Sequence, residues 1–154
     1  MIGRRIVILG ALSSGLLSGC TATGILGLGE VNGSEVVTGR ALPPVNDLRR
    51  DAGKPVLTAD YALGRSALDH AEYMARKGRM SHDGFARRMR RFGVQLPAAE
   101  NVAEGQRSVD GMFEAFAVSP KHRDNMLVSG FSRLGVAVAR NGDDRAFWVM
   151  QLSG

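Results

Sequence analysis

The chain reads as an α+β domain in which helices cover both faces of a small antiparallel sheet. Three stretches predict this. Between Thr58 and Gly78, Leu63, Ala67, Ala71, Met74 and Ala75 recur at helical spacing and form one apolar stripe. Toward the end, Leu134, Val136 and Val138 share one side of a strand, Asn141-Gly142-Asp143-Asp144 supplies a turn, and Phe147 to Leu152 returns, the pattern of an antiparallel hairpin. A hairpin alone is marginal in water, so a third strand is required. Glu100 to Ala103, between Pro97 and Gly105, is the candidate.

The first element in chain order is Ile6 to Leu17, an apolar stretch behind Arg4 and Arg5 and ahead of Leu17-Ser18-Gly19-Cys20. It has the layout of an export signal and is too short to span a bilayer, which needs about 20 apolar residues. Cys20 is the only cysteine. A small-residue run closed by cysteine resembles the lipobox of bacterial lipoproteins, where the thiol takes a diacylglycerol, the leader is removed and the new amino terminus is acylated. The resemblance implies a signal peptide over residues 1–19 and a mature chain that begins at Cys20, with membrane lipid as its partner. Two or three acyl chains, at about 0.8 kcal/mol per buried methylene, hold a protein on a membrane where one does not. Thr21, in place of an aspartate after the cysteine, points to the outer membrane if the cell is Gram-negative. The alternatives are an ordinary cleavable signal with a chance cysteine, or an uncleaved anchor.

With Cys20 consumed by lipid, no thiol remains for a disulfide, so packing alone must stabilise the folded part. Roughly 135 residues follow, enough for one domain and too few for two. Removing Arg4 and Arg5 from the 20 basic residues leaves 18 against 15 acids, a balance of +3. That charge argues only weakly for an anionic partner, and export excludes nucleic acid. The local cluster Arg87, Arg88, Arg90 and Arg91 has two readings, a solvated helix face or a surface for lipid headgroups and cell-wall anions. Oligomeric state leaves no mark in the sequence.

Residues 20–40 read as a flexible tether, with Gly24, Gly27, Gly29, Gly33 and Gly39 among small and polar residues. Such a segment reaches roughly 25 Å. The domain is expected over residues 41–154. Pro43 and Pro44 can open a short helix carrying Val45, Leu48 and Ala52 up to Gly53. Thr58 is the expected N-cap of the second helix, which stops near Gly78. Phe85 to Phe92 forms a short basic helix closed by Gly93. Val109 to Val118 forms another, with Met112, Phe113 and Phe116 inward, broken by Pro120.

The chemistry-bearing constellation is Ser81-His82, then Ala99-Glu100-Asn101-Val102-Ala103, then Phe116 through Ser119-Pro120-Lys121-His122-Arg123-Asp124-Asn125-Met126-Leu127. With Gly135-Val136-Ala137-Val138 and Trp148-Val149-Met150-Gln151, these segments resemble the bacterial branch of the CAP superfamily. These SCP-like domains take their name from cysteine-rich secretory proteins, antigen 5 and plant pathogenesis-related proteins. The resemblance runs from about Val45 to Gly154. It implies a three-layer α-β-α sandwich with an open cleft into which two histidines and two acids point. His82 matches the first histidine and Glu100 the first acid. Ser119 stands where the second acid would be, and His122 is the second imidazole by proximity. The implied ligand-binding cleft is therefore His82, Glu100, Ser119 and His122.

Two imidazoles near a carboxylate allow three uses. They can hold a divalent ion, zinc at His82 and His122 with Glu100, weakly for want of supporting partners. They can act as general base and acid, Glu100 fixing the tautomer of His82 and raising its proton affinity. They can form a buried hydrogen-bond network that locks loops over a disulfide-free core. Asn101 is expected to satisfy backbone groups of the neighbouring loop, Asn125 and Arg123 to tie the turn after Pro120 to the sheet edge, and His70 to be a satisfied core histidine. No nucleophile elbow and no His-Glu-x-x-His is present. The function expected is a lipid-anchored, extracytoplasmic module binding a small ligand, lipid or cell-envelope component. The alternative is a hydrolase of peptide or cell-wall material with His82, Glu100 and His122 as catalytic candidates.

Overall fold

The computed structural model describes residues 31–154. The expected leader, the acylated Cys20 and the first part of the tether lie outside the described residues. The elements in order are β1 (Val31–Val36), α1 (Thr38–Asp51), β2 (Thr58–Ala59), α2 (Tyr61–Lys77), α3 (Phe85–Arg91), β3 (Ala98–Glu104), α4 (Val109–Val118), α5 (Pro120–Met126), β4 (Arg133–Asn141) and β5 (Ala146–Ser153). β1, β4, β5 and β3 lie side by side, each neighbouring pair antiparallel, and β2 adds a short parallel pairing to the start of β4.

The period of two along the strands sorts the core into layers. Leu134, Val136 and Val138 of β4, with Trp148, Met150 and Leu152 of β5, pack under α1, α4 and α5 against Ala41, Val45, Met112, Phe116 and Met126. Their neighbours Ala137, Ala139, Phe147 and Val149 face the other way and meet Ala67, Ala71, Met74 and Ala75 of α2. The sheet is thus buried on both faces, and the α-β-α sandwich follows. The small residues on the α2 side set how closely that helix approaches. A Cβ on Gly135 would stand 2.3 Å from the backbone N of Gly64 and from the carbonyl carbon of Leu63.

The start of the domain differs from the sequence reading. Residues 31–40, assigned to the tether, form β1 and open α1, because β4 offers a free edge that Ser34, Glu35 and Val36 pair with. Thr38 is buried, and its Oγ1 accepts from Val136 N at 2.9 Å, which pins the start of α1 to the sheet. Pro43 and Pro44 consequently lie inside α1, in its second turn. The carbonyls of the exposed Gly39 and Arg40 lose their helical donors there, where water can replace them. The N-cap of α2 is Asp60, whose Oδ1 accepts from Leu63 N at 2.8 Å; Thr58 is taken by β2.

Two features carry the fold toward the site. Arg49 of α1, fully buried, donates to the carbonyls of Pro55, Met126, Val128 and Phe131, fixing the segment that follows α5. The register of β3 on β5 places Glu100 opposite Gln151.

Candidate functional site: a buried carboxylate beside an edge groove

Glu100 lies on the α2 side of β3, its side chain only 2% exposed, and a carboxylate so placed must be fully partnered. Its Oε2 accepts from Arg88 Nη2 at 2.5 Å and from Gln151 Nε2 at 2.7 Å. Its Oε1 accepts from His82 Nδ1 at 2.9 Å, with His70 Nε2 3.8 Å away. Both oxygens therefore accept from donors, drawn from two elements and a loop. Arg88, buried on α3, also donates to the carbonyl of Asp83, so one guanidinium ties the loop bearing His82 to the sheet.

The electrostatics follow from this geometry. Burial pushes the Glu100 carboxyl up, but the His82 hydrogen bond and the charges of His70 and Arg88 outweigh it and hold Glu100 below the usual carboxylate value. The same hydrogen bond raises His82 above an ordinary imidazole, against partial desolvation. His70 is lowered by burial; it stacks on Tyr73, and its Nε2 donates to the carbonyl of Ser81 at 2.6 Å. The arrangement holds one carboxylate charged and one imidazole aimed by it. The His82 side chain remains 56% exposed.

Asn101, the next residue along β3, points to the opposite face. Its Nδ2 donates to the carbonyl of His122 at 2.9 Å, and its Oδ1 accepts from Asn125 Nδ2 at 2.8 Å, fastening α5 to the edge strand. The imidazole of His122 meets the ring of Phe116 edge-on, centroids 4.9 Å apart. Phe116, Ser119 and His122 line a groove of about 230 Å³ that wraps the edge of β3, with Met80, Val102 and Ala103 as further wall. Trp148 is anchored behind it, Nε1 donating to the carbonyl of Gln106, which also lines the groove. His122 is lowered first by desolvation and then by the positive charge of His82, which reaches it around the strand edge.

Residues 42–152 match the family model described as CAP, the cysteine-rich secretory protein family. The chain belongs to this family. It is 29% identical over 115 residues to the uncharacterized protein YkwD of Bacillus subtilis strain 168, a match covering 71% of this chain and 44% of that protein. Among solved structures, an SCP-containing extracellular protein of Bacillus anthracis superposes with TM-score 0.65 at 24% identity, over 74% of this chain and 39% of that one. An outer surface protein of Borrelia burgdorferi superposes with TM-score 0.67 at 17% identity, over 81% of this chain and 97% of that one. The chain thus spans under half the length of its Bacillus relatives and nearly the whole of the Borrelia protein. These structural neighbours are extracellular or surface proteins.

Within this CAP domain the residues singled out from sequence are only partly brought together. His82 and Glu100 touch. Ser119 and His122 share a groove, but neither His82 nor Glu100 lines it. Consecutive strand residues face opposite sides, so Glu100 falls on the α2 face while Asn101 carries the His122 segment on the other. The groove wraps the edge of β3, with Val102 on the α2 face and Ala103 on the other, while the His82–Glu100 pair lies outside its lining. The described residues contain no cluster of three or more His, Cys, Asp or Glu able to hold a metal ion, and Glu100 already accepts from His82, Arg88 and Gln151. Arg123 makes no side-chain tie to the sheet edge among the described residues, leaving Asn101 and Asn125 to do so. Arg88 and Gln151 complete the carboxylate network unannounced by sequence. Arg88 sat in an arginine run, and only its place on the inner side of α3, next to the buried Met89, separates it from its exposed neighbours.

Proposed function

We propose that this CAP domain is a binding module whose groove at the edge of β3 takes a small amphiphilic ligand from the cell envelope. The apolar part would rest on Phe116, Met80 and Val102, and a polar end would meet His122 and Ser119. The observation that supports the binding reading is the groove itself, walled by Phe116, Met80 and Val102 with His122 and Ser119 at its polar side. Glu100 does not serve as a base itself, since it is buried and accepts from Arg88, Gln151 and His82; the hydrolase alternative rests on His82, which Glu100 aims and which is more than half exposed. The groove's size supports a modest ligand. At about 230 Å³ it falls below the roughly 300–1,000 Å³ of pockets that enclose whole drug-sized molecules. A short acyl chain or a single ring fits that scale better than a complete lipid.

The test is native mass spectrometry of the full chain purified from its own cells in a volatile detergent. Wild type should carry an additional small-molecule mass that His122→Ala loses; ligand-free spectra for both would refute the reading. The export and anchoring of this domain by acyl chains on Cys20 belong to the same proposal, supported by the apolar leader and by the extracellular and surface neighbours. Cys20→Ser should move the protein from the membrane to the soluble fraction. Undiminished membrane retention would remove the anchor from the proposal.

A further inference from the structure

A second concavity lies on the α2 face, away from the groove. It is a cleft of about 410 Å³ between α2 and α3, and its lining includes Arg76, Arg87, Arg88 and Arg91 against Asp69 and Asp83. The two acids are already answered. Asp69 holds Arg91 at 2.9 Å, while Asp83 accepts from the Tyr73 hydroxyl at 3.1 Å and pairs with Arg79 at 3.4 Å. Arg76 leans on Glu72 at 3.7 Å. The positive side is not answered in full. Arg87 makes no ion pair among the described residues; its guanidinium folds back over Gly84, the αL residue that opens α3 and also lines the cleft. Arg88, 93% buried, spends Nη1 and Nη2 on Asp83 and Glu100, and its buried Nε–H has no acceptor at all.

A buried guanidinium N–H left without an acceptor costs about 1–3 kcal/mol, more where charge is involved. An anion seated in the cleft would pair with Arg87 and lie in the field of Arg76, Arg88 and Arg91, which line the same cleft. Guanidinium groups suit phosphate in particular, because their planar forks match its oxygens.

We propose that the α2–α3 cleft is a phosphate-binding site, in which Arg87 is the main charged contact. The ligand is a phosphate group, free or carried on a lipid headgroup. This stands apart from the groove proposal, since it shares no lining residue with that groove.

The experiment is titration calorimetry on the full chain in a nonionic detergent. Inorganic phosphate and dihexanoyl phosphatidylglycerol are the two probes, and wild type is compared with Arg87→Gln and Arg90→Gln. Arg87 is exposed, so its variant should fold, which an unchanged melting temperature checks. Arg90 lies on the same helix outside the cleft lining and serves as the control for general surface charge. Arg87→Gln should weaken binding about tenfold or more, the scale of one charge-assisted hydrogen bond. Arg90→Gln should change it by less than about twofold, the scale of an exposed charge. Tighter binding of the soluble lipid, equally sensitive to Arg87, identifies a headgroup; phosphate binding at least as tight identifies the free anion. No binding of either probe, or equal losses in the two variants, overturns the proposal.

Discussion

Replacing Glu100 by Gln isolates the role of the buried network, because it preserves size and removes only the charge. In the folded protein Arg88 would keep its guanidinium 93% buried and lose the carboxylate 2.5 Å from Nη2. Breaking a buried pair by removing one partner costs about 3–5 kcal/mol, since the remaining charge is left uncompensated. The Gln151 bond would add to this, as its amide would face a second amide that can present an NH₂ group. The His82 bond adds little, because His82 is more than half exposed. For a chain of this size each kcal/mol moves the melting point by about 2–4 °C, so a loss of roughly 6–20 °C is expected by differential scanning calorimetry. The double variant Glu100→Gln with Arg88→Met should recover part of that loss, since removing both charges costs less than orphaning one. A Glu100→Gln protein melting within about 2 °C of wild type, judged on the same scale, would refute the argument that this carboxylate is a lock.

Two further outcomes follow from the geometry. Gly135→Ala should destabilise at or beyond the upper end of the roughly 1–3 kcal/mol seen for overpacking, because its Cβ would sit 2.3 Å from the backbone of α2. Gly130→Ala, with nothing within 4 Å, should leave urea midpoints unchanged; equal effects would contradict the close approach. Stability should fall on the acid side in two stages. His70, lowered by burial, contributes fully above its unfolded value near 6.5 and loses its contribution as pH falls through its lower folded value. Glu100 does the same from an unfolded value near 4.5. His82 acts in the opposite sense, contributing fully below 6.5 and losing a small, solvent-screened amount as pH rises through its raised folded value. Melting temperatures from pH 3 to 8 for wild type and His82→Ala would show the variant without the alkaline decline, with the His70 stage of the acid limb kept and the Glu100 stage reduced, since the His82 bond is part of what lowers Glu100. A flat acid limb in wild type would count against the buried carboxylate as a source of stability.

The framework of the molecule was legible in the residue pattern, because burial imposes periods that amino-acid types record. The stripe from Leu63 to Ala75 specified α2, the alternation around Asn141-Gly142 specified the β4–β5 hairpin, and Glu100 to Ala103 fell within β3. β1 and β2 escaped notice for the same reason. Val31–Val36 carries little apolar alternation and exists as a strand only because β4 presents an edge to it, a partner more than 90 positions away along the chain. The pairing of His82 with Glu100 was also foreseeable, through the motifs this CAP domain shares with its family. What the linear order could not reveal was which charged groups are buried and on which side of β3 each lies. Arg88 is one arginine in a run of similar ones until α3 turns it inward, and Gln151 becomes a donor only through the register of β5 on β3. Periodicity encodes local geometry, whereas the pairing of distant charges depends on how the layers stack.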